Sequence, residues 1–186
     1  MEDNILDSEF REENANQMRY AEFGTRLLAT LVDALVSIPF VVLIVLNHIY
    51  LKSLALDFLL SILLLCYKPF FEFKFNATIG KMALKIKVLT EEFEGISLGT
   101  SILRNLIYIL PAIVDLYYNL LFFNHPEYEH INSFLEYGEL GDQVSNPTNS
   151  YFGLLMIIFG LAVIFTQKKQ GLHDLMVNTV CVHREP

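Results

Sequence analysis

Residues 27–46, LLATLVDALVSIPFVVLIVL, form a twenty-residue apolar run that carries one charge, Asp33. As a helix rising about 1.5 Å per residue, that run spans a hydrocarbon core of roughly 30 Å. A carboxylate near the middle of such a helix costs about 2.5–3.5 kcal/mol on insertion scales, so a structure that keeps Asp33 there must offset the cost. Over the whole chain, 53% of the 186 residues are hydrophobic and the mean hydropathy is +0.41. Those values fit a single membrane domain better than soluble cores. The fold expected is an all-α polytopic membrane protein with four spans, at about 25–46, 49–67, 102–123 and 151–166. Pro39 should bend the first span. The fourth is short enough to begin in the preceding loop or to sit where the bilayer thins.

The net charge of −8 is built from local blocks. Residues 1–22 carry seven acids and two arginines, lack the basic start and apolar stretch of a secretory signal, and read as a flexible acidic tail. The rest, 23–183, reads as the membrane domain. Residues 68–87 hold five lysines against one acid, whereas 124–150 hold five acids and no lysine or arginine. By the positive-inside rule both termini and the 68–101 segment are cytoplasmic, and 124–150 is an acidic outer loop.

Between the second and third spans, residues 84–89 (LKIKVL) alternate apolar and charged, which is a strand period. A turn at 91–95 can return the chain through 96–98, and 178–183 is another β-branched run. A small cytoplasmic β element from about 84–98 and 178–183 follows. ATIGKMA at 77–83 lacks the spacing of a phosphate loop, and Asn76-Ala77-Thr78 lies on the side where glycosylation does not occur. Lys81 and Lys85 instead read as an interfacial turn that can touch anionic head groups. In the outer loop His125, Glu127, Glu129 and His130 lack the fixed scaffold a metal site needs, so no metal and no cofactor are expected. Cys66 and Cys181 read as unpaired thiols.

Arg26 and Asp33 are seven residues apart and share a helix face. Arg104 and Asp115, eleven apart, do so as well. Asp174 should return to the membrane at the level of the two arginines, so the cluster contains counter-charges for buried aspartates. Three motifs carry a resemblance: RLLATLVD at 26–33, TIGKMALKIKV at 78–88 and KKQGLHDLMVNTVCV at 168–182. In that order, joined by spans, they resemble the RDD family of bacterial membrane proteins. The resemblance runs from about residue 20 to 182. The family's eponymous arginine and two aspartates map onto Arg26, Asp33 and Asp174. It implies the bacterial cytoplasmic (inner) membrane and, as a general suggestion, membrane transport, with some members linked to sodium–proton antiport.

Two functions remain open. In the first, a small cation or proton crosses through buried Arg26, Asp33, Arg104, Asp115 and Asp174, with Asp57, His173 and Lys81 as secondary candidates, because ionisable groups inside spans are costly to keep. With so few spans and no inverted repeat, such a transporter would need a homo-oligomer or a partner membrane protein. In the second, the chain is a non-catalytic scaffold or assembly subunit, and the charges hold helices in register. His173 beside Asp174 has no nucleophile placed with it, so no enzyme is expected. The partners implied are the lipid bilayer and a small ion, with no nucleic acid.

Overall fold

The computed structural model describes residues 19–144, 151, 154, 158 and 161–183. Most of the expected acidic tail, most of 151–160 in the expected fourth span, and residues 145–150 of the expected outer loop lie outside the described residues. Within them, three helices are long and apolar enough to cross a membrane. They are α1 (Phe23–Leu46), α2 (Leu54–Phe75) and α5 (Leu106–Phe123). Their outward faces are apolar and uncovered. On α1 alone Leu28, Leu35, Ile38 and Val42 are about half exposed or more, a surface suited to lipid tails.

Helix α1 starts where the sequence places it, and Pro39 lies inside it. The second helix does not. Residues 49–51 belong to a π-helical turn, Asn47–Leu51, that prolongs α1. Lys52 then takes a left-handed conformation (φ 50°), and Ser53 caps α2 by accepting from the Leu56 amide at 3.4 Å. The Asn47 side chain braces the turn, donating to the Ser53 carbonyl at 2.9 Å and accepting from its amide at 3.1 Å. These bonds stop the apolar pattern from continuing as one helix. At its other end α2 runs on through Lys68, Glu72 and Lys74 to Phe75, because Glu72 is buried against partners instead of meeting water. Left-handed Asn76 (φ 53°) ends it.

A five-residue turn of helix, α3 (Ile79–Ala83), follows and packs on α1. Strand β1 (Ile86–Thr90) pairs antiparallel with β2 (Thr179–His183), Val88 opposite Cys181. Tyr20 bridges to Val182, and the Ala21 amide donates to the Cys181 carbonyl at 2.8 Å, so the chain entering α1 lies along the sheet. The expected return strand through 96–98 is not formed. Gly95 makes one isolated bridge to Leu89, the Ile96 amide donates to Asn76 Oδ1, and Ser97 caps a new helix, α4 (Leu98–Arg104).

The third apolar run is broken at Asn105, which ends α4 and precedes α5. Arg104 therefore lies at the end of a short helix and off the face of α5 that carries Asp115. After α5 comes a 3-10 turn, Tyr128–His130, then helix α6 (Phe134–Val144). The acidic loop is thus partly helical. Tyr137, Leu140 and Val144 pack inward at helical spacing while Glu136 and Glu139 stay exposed. Residues 161–165 are helical, and the short helix α7 (Leu172–Leu175) leads into β2. One apolar cluster, including Ala29, Ile86, Val88 and Cys181, joins α1 to the sheet. Another, including Ile49, Phe122, Tyr128, Ile131 and Leu140, closes the opposite end, where α1 turns into α2.

Candidate functional site

Asp33 is 5% exposed, and its counter-groups are neutral. Tyr67 Oη donates to Oδ1 at 2.8 Å, Thr78 Oγ1 donates to Oδ2 at 2.6 Å, and the Gly80 amide donates to Oδ1 at 2.7 Å. Three hydrogen-bond donors stand here where an adjacent cation would be expected. The fit requires glycine at 80, since a Cβ there would stand 2.0 Å from the Ala29 carbonyl oxygen. Tyr67 Oη also accepts from the Ile79 amide at 3.1 Å, fixing the hydroxyl that points at Asp33.

Asp174, fully buried, collects the arginines. Arg26 Nη1 donates to Oδ2 at 2.5 Å, Arg104 Nη1 stands 2.6 Å from Oδ1 as an ion pair, and the Gly171 amide donates to Oδ2 at 2.9 Å. Arg104 extends the network. Its Nη1 donates to Thr179 Oγ1 at 2.8 Å, its Nη2 to Cys181 Sγ at 3.4 Å, and its Nε lies 3.4 Å from Glu72 Oε2. Glu72 also pairs with Lys81 and accepts from Asn105 Nδ2 at 2.8 Å. Lys81 thus turns inward to Glu72 instead of outward to head groups. Helices α1, α2, α4 and α7 and strand β2 meet in this one network. Burial would raise the Asp174 carboxyl, but Arg104 and Arg26 more than offset it and hold it below the usual carboxylate range. Burial would likewise lower Arg104, and the Asp174 and Glu72 carboxylates raise it instead. His173 Nε2 is 3.4 Å from Asp174 Oδ1, yet burial pulls its imidazole down to about 4, so at neutral pH it is uncharged.

The RDD family model matches residues 20–178. The chain belongs to the RDD family. No curated protein and no solved structure matches it. Arg26 and Asp174 are bonded to each other, whereas Asp33 anchors the Thr78–Gly80 turn against α1.

Two cavities lie beside these groups. The first, about 400 Å³, is lined by Arg26, Asp33, Glu72, Lys81, Arg104 and His173, among others. The second, about 340 Å³, includes Ser37, Ser61, Tyr67, Asp115 and Asn119 in its wall. Lys68, Asn105 and Tyr108 line both. Lys68 Nζ sits 3.7 Å from the centre of the Tyr108 ring, a cation–π contact at the partition. Asp115 lines the second cavity.

At the far end Asn119 Nδ2 donates to Asp57 Oδ2 at 3.1 Å, and His48 Nε2 is 3.1 Å from Asp57 Oδ1. His48 and Asp57 are 1% and 0% exposed. Glu72, Tyr67, Thr78, Asn105 and His48 escape a reading of the sequence. Glu72 stands out only as the lone acid among five lysines, and Asn47-His48 only as a polar pair between apolar runs. In the loop after α5, Tyr128 is buried against the His48 ring while Glu127, Glu129 and His130 are exposed.

Proposed function

We propose that this RDD protein moves a proton or small cation across the membrane. The observation that supports this best is the series of two cavities running from the Asp33–Arg104 end to Asn119 and Asp57, with titratable side chains along it. Tyr67 links them, lining the second cavity while donating to Asp33 in the wall of the first. Buried ionisable groups facing a cavity inside a membrane domain mark an ion route by default. In this reading Asp33 is the inner acceptor and Asp115 the mid-route one. Arg26, Arg104 and Asp174 set the charge at the mouth.

The sheet end faces the cytoplasm, in keeping with the lysines of 68–87 and the absence of lysine and arginine from 124–150. Residues 151–166 supply a fourth span, both termini are cytoplasmic, and the membrane is the bacterial inner one. A route built from so few helices works best within a homo-oligomer or beside a partner membrane protein. A scaffold role is the second reading. It is favoured by the mutual pairing of Arg26, Asp174, Arg104, Glu72 and Lys81, which ties α1, α2, α3 and α4 to α7.

The test is proton movement in proteoliposomes holding the full chain and an internal pH dye, with sodium and then potassium added outside. The transport reading expects a cation-dependent pH change that Asp33→Asn abolishes in inserted protein. No response from inserted wild type sinks it and favours the scaffold.

A further inference from the structure

His48 and Asp57 play no part in the network at the sheet end. They are the most deeply buried titratable pair at the opposite end, on the turn that joins α1 to α2. Asp57 lies in the first turn of α2, where the free amides and helix dipole favour a carboxylate. Asn119 both donates to Asp57 and lines the second cavity, so the pair lies just behind the far end of that cavity's wall.

The other side of the pair is closed by aromatic rings. The His48 ring lies 4.8 to 6.0 Å, centroid to centroid, from Phe122, Phe123, Tyr128 and Tyr137. Phe122 and Phe123 end α5, Tyr128 opens the 3-10 turn, and Tyr137 is on α6. Tyr128 Oη lies 3.5 Å from His48 Nδ1, the ring's outward nitrogen. Among the described residues, the charged groups facing this cap are Lys52, 5.9 Å from the Tyr128 ring centre, and Glu129, whose carbonyl oxygen accepts from Lys52 Nζ at 2.5 Å. Both stay outside the rings.

We propose that His48 and Asp57 form a proton-exchange station at the far end of the cavity series, sealed from outside water by the aromatic cap that α6 completes. The proposal rests on the transport reading. A hydronium ion arriving from outside gives its proton to His48 at the outward Nδ1: an N–H bond forms there, the hydronium O–H bond breaks, and water is left. The Nε2–H bond then breaks as its proton forms an O–H bond at Asp57 Oδ1, 3.1 Å away, and no electron is transferred. Release breaks the Asp57 O–H bond and forms an O–H bond on a water reached as the Asn119 side chain swings aside; the second cavity, which Asn119 lines, has volume enough for a file of waters. Opening of α6 exposes the pair outward, and its closure leaves the second cavity as the way out.

The test compares wild type with His48→Gln and Asp57→Asn in the same full-chain proteoliposomes, reading the initial rate of internal pH change under an imposed proton gradient. Infrared difference spectra across a pH step are recorded on each protein in lipid. The expected result is a loss of at least tenfold in rate in both variants, with insertion unchanged. A protonated-carboxyl band seen in wild type should vanish in Asp57→Asn and shift its titration in His48→Gln. Rates within twofold of wild type, or a band that survives in Asp57→Asn, overturn the station while leaving transport standing. A wild type that moves no protons overturns the transport reading and the station with it. If Asp57→Asn does not insert, His48→Gln, which keeps a hydrogen-bonding side chain of similar size, decides by the same two readouts.

Discussion

Gly80→Ala should be among the most damaging single-atom changes this chain can suffer. The added Cβ would stand 2.0 Å from the Ala29 carbonyl oxygen and 2.9 Å from Asp33 Cγ. Both are fixed atoms of α1, so α3 must retreat by about 1 Å before the contact reaches even the closest distances real Cβ atoms show. A retreat of that size lengthens the 2.7 Å bond from the Gly80 amide to Asp33 to about 3.7 Å, beyond hydrogen bonding. Losing a bond to a buried charged group costs roughly 1.5–3 kcal/mol. The residual overpacking adds about 1–3 kcal/mol. The expected destabilisation is about 3–5 kcal/mol. It is measurable as a shift in SDS-driven unfolding in mixed micelles, followed by near-ultraviolet tyrosine dichroism. Gly24→Ala is the internal control, because nothing lies within 4 Å of a Cβ there, and it should leave stability unchanged or slightly raised. A Gly80→Ala protein within about 0.5 kcal/mol of wild type would refute the account of Asp33 as the anchor of the Thr78–Gly80 turn.

Arg104→Lys should cost about 3 kcal/mol or more in the same unfolding assay. A single ammonium cannot serve Asp174, Thr179, Cys181 and Glu72 together, and buried carboxylates are left short of partners. Stability should fall as pH is lowered from about 6.5 to about 4, because His173 is held neutral down to about 4 in the native state while the unfolded chain takes up its proton near 6.5. Below that window protonation of Asp174, whose native carboxyl is held low, removes further stability. His173→Gln should flatten only the upper part of the curve, as unfolding at a series of pH values would reveal. Asn76→Val should lose about 2 kcal/mol or more in unfolding, since it forces a β-branched residue to φ 53° and removes the acceptor for the Ile96 amide. Asn76→Gly should lose only the bond.

Much of this architecture is legible in the sequence. The apolar runs at 27–46 and 102–123 needed only length and hydropathy, though the helix of the second begins at Leu106, and the alternation of LKIKVL located β1. The second helix was misplaced because the apolar run IYL at 49–51 reads as helix by composition. Its end is set by a left-handed Lys52 and by the Asn47–Ser53 bonds, which composition does not record. The helix then continues past Tyr67 through charges that look like a loop and are in fact paired inward. Spacing put Arg104 and Asp115 on one helix face and left the partner of each arginine open. The break at Asn105 gives Arg104 to Glu72 and Asp174. Asp174 was placed at the level of the arginines by its position after the last apolar run, and it binds both. The counter-groups of Asp33 were unreadable, because a tyrosine hydroxyl, a threonine hydroxyl and a backbone amide carry no charge signal.

In the proposed transport reading labour is divided: the Arg104–Asp174–Glu72 network holds the fold, and the groups along the cavities carry the ion. Flux and unfolding stability should be measured on one preparation each of wild type, Arg104→Lys and Asp115→Asn, reconstituted alike. This division of labour predicts that Asp115→Asn loses at least tenfold in cation-dependent proton movement per folded, inserted protein, more than any shift in its unfolding midpoint accounts for. It also predicts that Arg104→Lys loses several kcal/mol of stability. An Asp115→Asn protein that transports at the wild-type rate, or that fails only because it no longer folds, would contradict it.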